Sequence, residues 1–564
     1  MTTVNKADYL PSLVVNSADE LKWDDEADVV VVGFGGAGAA AAIEARETGA
    51  SVIAVDRFDG GGATAYSGGV VYAGATRYLK ESGYDDTPEE MYKYLDAEKN
   101  AVGPETLRRF CEGSSGDMEW LDQQGVPHGG NPFEDKTSFP PDNHFLYYSG
   151  NEKMPEFAAL ARPAPRGHRV AINGFGGRVL FDKLRDSALA KQVKLLRHAP
   201  VRRLVTDASG AVIGVEANVL PESLHAKHQS LYKVVHPWRP FNGDRAERAI
   251  TEAKAIERSV EQPRLIRARG GVVITTGGFN HNREMIKQHR PELGDVYKIL
   301  LRLGSMGDDG GGMKLAESAG GVTALMERVS VARTLVPPNV FAHGIVVNQD
   351  GKRFVNEAAY GFNVGNAITR QPGGGKAWLL LEGKTFWRGV KDSFLTGKNF
   401  LIWGAPALLN VAFGGTRRAG SLEELARKIH VDPAGVTATV AEVNAMADSG
   451  APDPLNKLGE LIKPLRDGPF YAVNLSLDNK FLPAQTMTIG GIKVNEENGA
   501  AQRSDDSDVA GLYAAGRAAV GVCSGGFISG LSLADCIFSG RRAGRSAARA
   551  AGLTKEEVHH AANL

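Results

Sequence analysis

The alternation of apolar and polar positions divides the chain into stretches of different kind. Four consecutive valines follow Asp28, an alanine-rich run of helical character comes next, and a second apolar run ends in Asp56. Asp28 to Arg57 therefore predicts a β-α-β unit. Apolar positions at helical spacing predict helices from about Thr87 to Gln124, and Gly174 to Ala217 predicts a helix followed by two strands joined at an Asp-Ala-Ser-Gly turn. The pattern then breaks. Asn218 to Gln262 is polar, mixed in charge and helical in propensity, which predicts an insertion, read either as a lid or surface-binding element or as a solvated excursion. A buried strand returns in Gly270 to Phe279 and ends in a glycine pair, and Met306 to Gly321 joins an acidic turn to a short helix. From about Met326 to Asp467 aromatics become frequent, Phe341, Phe362, Trp387 and Trp403 among them, which predicts a second domain with most of these rings in its own core. The last strong helix begins near Ser532, and the residues after Leu553 read as peripheral. The expected division is 25–325 for the first domain, with the helical insertion at 218–262, then 326–467 for the second, and 468–552 for the return to the first.

Composition narrows the classes of function. At 564 residues the chain exceeds one comfortable core. A formal net charge of −1 gives no electrostatic case for nucleic acid. Cys111, Cys523 and Cys536 lie far apart and form no disulfide framework or metal motif, so a reducing cytoplasm is expected and no metal. The first 25 residues carry no apolar core of signal-peptide length, and the other apolar runs are too short and broken to span a bilayer. A peripheral membrane contact through 218–262 stays open. Sixty-eight glycines point to many close backbone approaches, as expected of a protein wrapped round an extended ligand.

The chemistry begins at the first turn. Gly33, Gly35 and Gly38 stand in G-x-G-x-x-G spacing between a strand and a helix, with Asp56 ending the next strand. In such a unit the first glycine makes the tight turn, the second admits a pyrophosphate and the third lets helix and strand close up. The helix amino terminus faces the phosphates, and the acid can accept a hydrogen bond from the ribose. The loop Gly60 to Thr76, rich in glycine and small hydroxyl side chains, offers backbone amides to phosphates or a ring.

Taken in order, GFGGAG, GGATAYSGG, VVITTGGFNHN, GDDGGGMKLAESAGG, GKRFVNE, GLYAAG and SGLSLADCIFSGRRAG resemble the FAD-dependent fumarate reductase and succinate dehydrogenase flavoprotein family, in particular its 3-ketosteroid dehydrogenase branch. The resemblance covers roughly Asp28 to Ala550, excepting the insertion. It implies an α/β fold, a Rossmann-like FAD-binding domain of glutathione-reductase type interrupted by an α+β substrate-capping domain. On the first unit it implies cofactor contacts at Gly33, Gly35, Gly36, Ala37, Gly38, Asp56 and Arg57. Along the following loop the implied contacts are Gly62, Ala63, Thr64, Ser67, Gly68 and Gly69. Farther on they are Val201, Thr276, Gly277 and Asp309, then Gly516 and Arg517, with the Ser532 and Leu533 amides near the pyrimidine edge of the flavin. The covalent histidine of succinate dehydrogenases has no counterpart in Thr64-Ala65-Tyr66-Ser67, so the FAD is expected to be non-covalent. With no second dinucleotide motif, electrons are expected to pass to or from an external donor or acceptor.

The resemblance also directs the reaction. Fumarate reductases carry a histidine and an arginine where this chain has Met487 and Tyr360, so a small dicarboxylate is disfavoured. The ketosteroid branch has a tyrosine after R-F-x-N-E as acid or base, matched by Tyr360. It also has Y-x-S-G before the last helix, where this chain reads Phe527-Ile528-Ser529-Gly530. The expected chemistry is formation or reduction of a C=C bond beside a ketone in a 3-ketosteroid-like substrate, with Tyr360 moving the proton. Ser529 and the Gly530 amide polarise the ketone, and Phe527 is an apolar wall. Tyr148 and Tyr471 are the candidates for the hydroxyl that Phe527 lacks. The alternatives are an enoate reductase for a small unsaturated acid, with Arg333 or Arg370 on the carboxylate, and a flavin-binding electron carrier without turnover.

Overall fold

The computed structural model describes residues 8–260, 262–335, 338–395, 400 and 404–553. Trp403 and the residues after Leu553 lie outside the described residues. The β-α-β unit is strand β1 (Asp25–Val32), helix α1 (Gly36–Glu47) and strand β2 (Val52–Val55). Val29 to Val32 are buried, as a parallel strand covered on both faces must be.

These strands belong to a nine-stranded sheet. Helices α2 (Glu222–Val234) and α3 (Gly243–Glu257) form the insertion, and strand β3 (Arg264–Ile274) returns beside β1 in parallel register, Val272 opposite Val30. Strand β3 changes partner along its length. Its first half pairs antiparallel with Val212–Ala217, and its second half pairs in parallel with strand β4 (Asp508–Ala514). The register shifts between Ala268 and Gly271, and the carboxyl ends of β1, β3 and β4 lie side by side, Val32 and Ala514 both opposite Ile274.

Helix α5 (Leu531–Ala550), the last of the chain, lies along α1. The contact is backbone on backbone: a Cβ on Gly540 would stand 2.5 Å from the Ala37 carbonyl oxygen, and one on Gly544 2.2 Å from that of Ala41. Beyond this seam Glu44 takes hydrogen bonds from Arg541 at 2.9 Å and Arg545 at 2.7 Å. Burial pushes the Glu44 carboxyl up, but the two guanidinium groups outweigh it and hold it at about 2.

The cap is built on a four-stranded sheet in the order Ile345–Val347, Trp378–Glu382, Phe470–Asn474, Arg417–Ala419, all pairs antiparallel. Its third strand lies beyond residue 467, because pairing with both neighbours keeps it in the cap. Helix α4 (Gly361–Thr369) follows Tyr360 directly and packs on Val329–Ala332. The insertion is not a solvated excursion: Tyr232, Val235, Ala246, Ala249 and Ala253 of its two helices bury against Phe58 and Met306 of the first domain. Phe241, in the turn between them, is exposed. Among the described residues no helix is long and apolar enough to cross a membrane.

Candidate active site

Two joined cavities run from the β1–α1 turn to the cap. The first holds about 930 Å³ of open space and is lined by Gly33 to Ala37, Asp56, Arg57, Thr64, Thr276 and Gly277. Gly33 has φ +93, and a Cβ there would stand 2.8 Å from the Thr275 carbonyl oxygen, so only glycine makes this turn without strain. The Gly35 Cβ position is open, with nothing nearer than 3.6 Å, which leaves backbone facing the cavity at the start of α1. Asp56 stands at the rim, its two oxygens accepting the Phe34 and Phe58 amides at 2.7 Å each. Burial pushes its carboxyl up.

Arg57 is committed elsewhere. It forks onto Glu257 of α3 at 2.7 and 3.0 Å and reaches Asp309 at 3.0 Å, while Tyr9 donates to Asp309 at 2.9 Å. The insertion and the amino-terminal segment are thereby fastened over the ribose end of the cavity. Arg517 lines both cavities. Its Nη2 donates to Asp308 at 2.6 Å, and its buried Nη1 has no protein partner. An orphaned guanidinium nitrogen beside a glycine turn and a helix amino terminus fits the phosphates of a dinucleotide.

The second cavity, about 1050 Å³, is lined by Ser67, Gly68, Ser532 and Leu533 on the sheet side and by Phe139, Phe175, Trp238, Phe362 and Phe527 opposite. Gly530, with φ +92, caps α5 without a side-chain bond, so the second and third amides of the helix are presented to the cavity. Tyr360, Phe362 and Phe527 form an aromatic cluster, Phe362 4.1 Å and Tyr360 6.3 Å from Phe527 between ring centres. Three hydroxyl groups meet among these rings. Ser529 Oγ lies 2.9 Å from the Tyr147 hydroxyl, and Ser529 and Tyr360 line the same cavity. Burial and the neighbouring Tyr147 push the Tyr360 phenol well up, with Ser529 opposing, and burial pushes Tyr147 up also. Both phenols are therefore proton carriers at neutral pH.

The backbone before Tyr360 is pinned. Arg353 forks onto Glu357 at 2.9 and 2.8 Å and onto Asp453 at 2.6 and 2.8 Å, and the Tyr360 amide donates to Asn151 at 2.9 Å.

Of the residues expected from sequence, Tyr360, Phe527, Ser529 and Gly530 come together in the second cavity. Gly62, Ala63, Val201 and Asp309 line the first. Gly38, Gly69 and Gly516 line neither and serve close approach instead: Gly38 against the Gly33 carbonyl, Gly69 against Gly176, and Gly516 against Ala37. Tyr148 and Tyr471 are not at the site. The Tyr148 ring lies under Lys153 Nζ at 3.9 Å, and Tyr471 stacks on Phe386 at 3.9 Å in the cap core. The hydroxyl beside Ser529 comes from Tyr147, on the short strand Leu146–Tyr147; successive side chains diverge there, so Tyr148 faces away. Arg370 is exposed, and Arg333 lines a third cavity. Sequence reasoning also missed Asp308, Tyr9 and Trp238. Asp308 stood beside the chosen Asp309 in GDDGGG, whereas only tertiary packing brings in the other two.

The family model described as FAD binding domain matches residues 28–527. The chain is 37% identical over 521 residues to a 3-oxo-5-alpha-steroid 4-dehydrogenase of Comamonas testosteroni, covering 89% of this chain and 95% of the relative. It is 29% identical to a 3-oxosteroid 1-dehydrogenase of Mycolicibacterium smegmatis, with 87% and 91% covered. Among solved structures it superposes on the 3-ketosteroid-delta4-(5alpha)-dehydrogenase of Rhodococcus jostii RHA1 in complex with 4-androstene-3,17-dione. That match has a TM-score of 0.75 and 30% identity, and covers 96% of this chain and 100% of the other.

Proposed function

The chain belongs to the FAD-binding-domain family, and from that premise we propose that it forms or reduces the C=C bond adjacent to the ketone of a 3-ketosteroid. Its cofactor is FAD, and it is an oxidoreductase acting on CH–CH bonds. The observation that carries the steroid reading is the aromatic cavity in which Tyr360, Phe362 and Phe527 surround Ser529, with the Tyr147 hydroxyl on Ser529 from behind, supported by relatives named for 3-oxosteroids. Bound non-covalently along both cavities, FAD supplies the site that takes or gives a hydride.

The protein's part is placement and proton movement. Aromatic walls exclude water and hold a flat apolar substrate. Ser529 and the Gly530 amide bind the ketone oxygen, which gains negative charge as the adjacent C–H bond breaks or forms. Tyr360 gives or takes the proton at the neighbouring carbon. Tyr147 donates through Ser529, taking the place of the hydroxyl absent from Phe527. An external partner exchanges electrons with the enzyme, and the three buried, unpaired cysteines suit a cytoplasmic setting.

Anaerobic addition of a saturated 3-ketosteroid should bleach the oxidised flavin spectrum, or an unsaturated one should reoxidise the reduced enzyme. No response to any such steroid, with rapid turnover of fumarate, would overturn this reading.

A further inference from the structure

A third cavity, about 1060 Å³, adjoins the substrate cavity, and Trp238, Thr334 and Gln485 line both. Its walls are apolar: Phe241 from the insertion turn, Leu379 and Leu409 from the cap, and Phe481. Arg333 is set among them, 2% exposed. Its Nη2 donates to the Ser476 carbonyl at 2.9 Å and its Nη1 to that of Leu482, both uncharged acceptors. Its Nε is buried without a partner. Among the described residues Arg333 forms no ion pair; Asp478, the carboxylate whose field reaches it, is paired with Lys376 at 2.6 Å. Burial brings the guanidinium down to about 10, so it is charged at neutral pH. A buried cation without an anion is costly, and folded chains seldom keep one unless something else pairs with it.

We infer that this third cavity is a subsite for the side chain of the steroid substrate, and that the side chain ends in a carboxylate paired with Arg333. The inference rests on the 3-ketosteroid reading. The ketone lies at Tyr360 and Ser529, the ring system in the second cavity, and an aliphatic chain passes Trp238 and Thr334 into the third, where the carboxylate pairs with the Arg333 guanidinium. A site built to pair a buried charge discriminates strongly against the analogue that lacks it.

The test compares three 3-ketosteroids on the wild-type holoenzyme: one with a carboxylate-terminated C17 side chain, its methyl ester, and a 17-ketone without the chain. The acid should have a KM at least tenfold below the other two. The Arg333→Met variant should raise KM for the acid tenfold or more and leave that for the 17-ketone within about twofold, with FAD content unchanged. Equal KM values for acid, ester and 17-ketone overturn the inference while leaving the 3-ketosteroid reading intact. Flavin that responds to none of the three overturns both. Should Arg333→Met fail to fold, the wild-type comparison still decides.

Discussion

The two ends of the FAD site are built on opposite plans. At the β1–α1 turn the ligand meets backbone: Gly33 and Gly35, the start of α1, and a rim of charged groups already paired with one another. The second cavity is walled by side chains, aromatic rings with the Tyr360 and Ser529 hydroxyl groups among them and Tyr147 behind Ser529. The glycine turn at the centre of the first end can be written within thirty-odd consecutive residues, although Thr276, Gly277 and Arg517 join it from far along the chain. The second exists only when residues 147, 360 and 529 are brought together. On the proposed function the cradle would supply affinity with little choice of reaction, and the hydroxyl groups would supply the reaction while contributing little to holding the cofactor.

Substitutions that separate the two ends test this contrast. Tyr360→Phe should lower kcat by about 1,000-fold or more with FAD still bound, read as steady-state rate against flavin absorbance per protein; turnover within tenfold of wild type would remove Tyr360 from proton transfer. Tyr147→Phe should cost about 100-fold in kcat, in the range for loss of one donor to a developing oxyanion. Tyr148→Phe, its sequence neighbour, should stay within about twofold, and equal losses in the two variants would contradict the geometry.

At the cradle end, Glu44 held at about 2 corresponds to about 3 kcal/mol of stability at neutral pH. Because the folded carboxyl is depressed, that stability is present above pH 4.5 and is lost as pH falls toward 2. Glu44→Gln should therefore lower stability by about 3 kcal/mol at pH 7 and flatten its decline over that interval, as measured by denaturant unfolding. Gly33→Ala should weaken FAD binding by about tenfold, from strain at φ +93 and the Thr275 contact. Reconstituted with excess FAD, it should keep its kcat, which sharpens the division between holding and reacting.

The turn at the heart of the cradle was legible because Gly33, Gly35 and Asp56 belong to one local unit. Even there the acid at the end of β2 turned out to brace Phe34 and Phe58 as well as face the cavity. At the reacting end Tyr360 and Ser529 were legible only through motifs shared with a known family. Tyr147 was not, since one residue of register decides which of two adjacent tyrosines faces the site. The packing of α2 and α3 on the first domain was hidden by their mixed charge. What buries them is a narrow apolar stripe against Phe58 and Met306, together with the fork from Arg57 to Glu257.

Those two helices carry a consequence for the order of events. Tyr232 walls the adenosine end, and Trp238, a few residues on, walls both the substrate cavity and the one beyond it. Any displacement of this segment would open the first cavity and the two beyond it together. On the proposed function, cofactor is therefore expected to load before substrate.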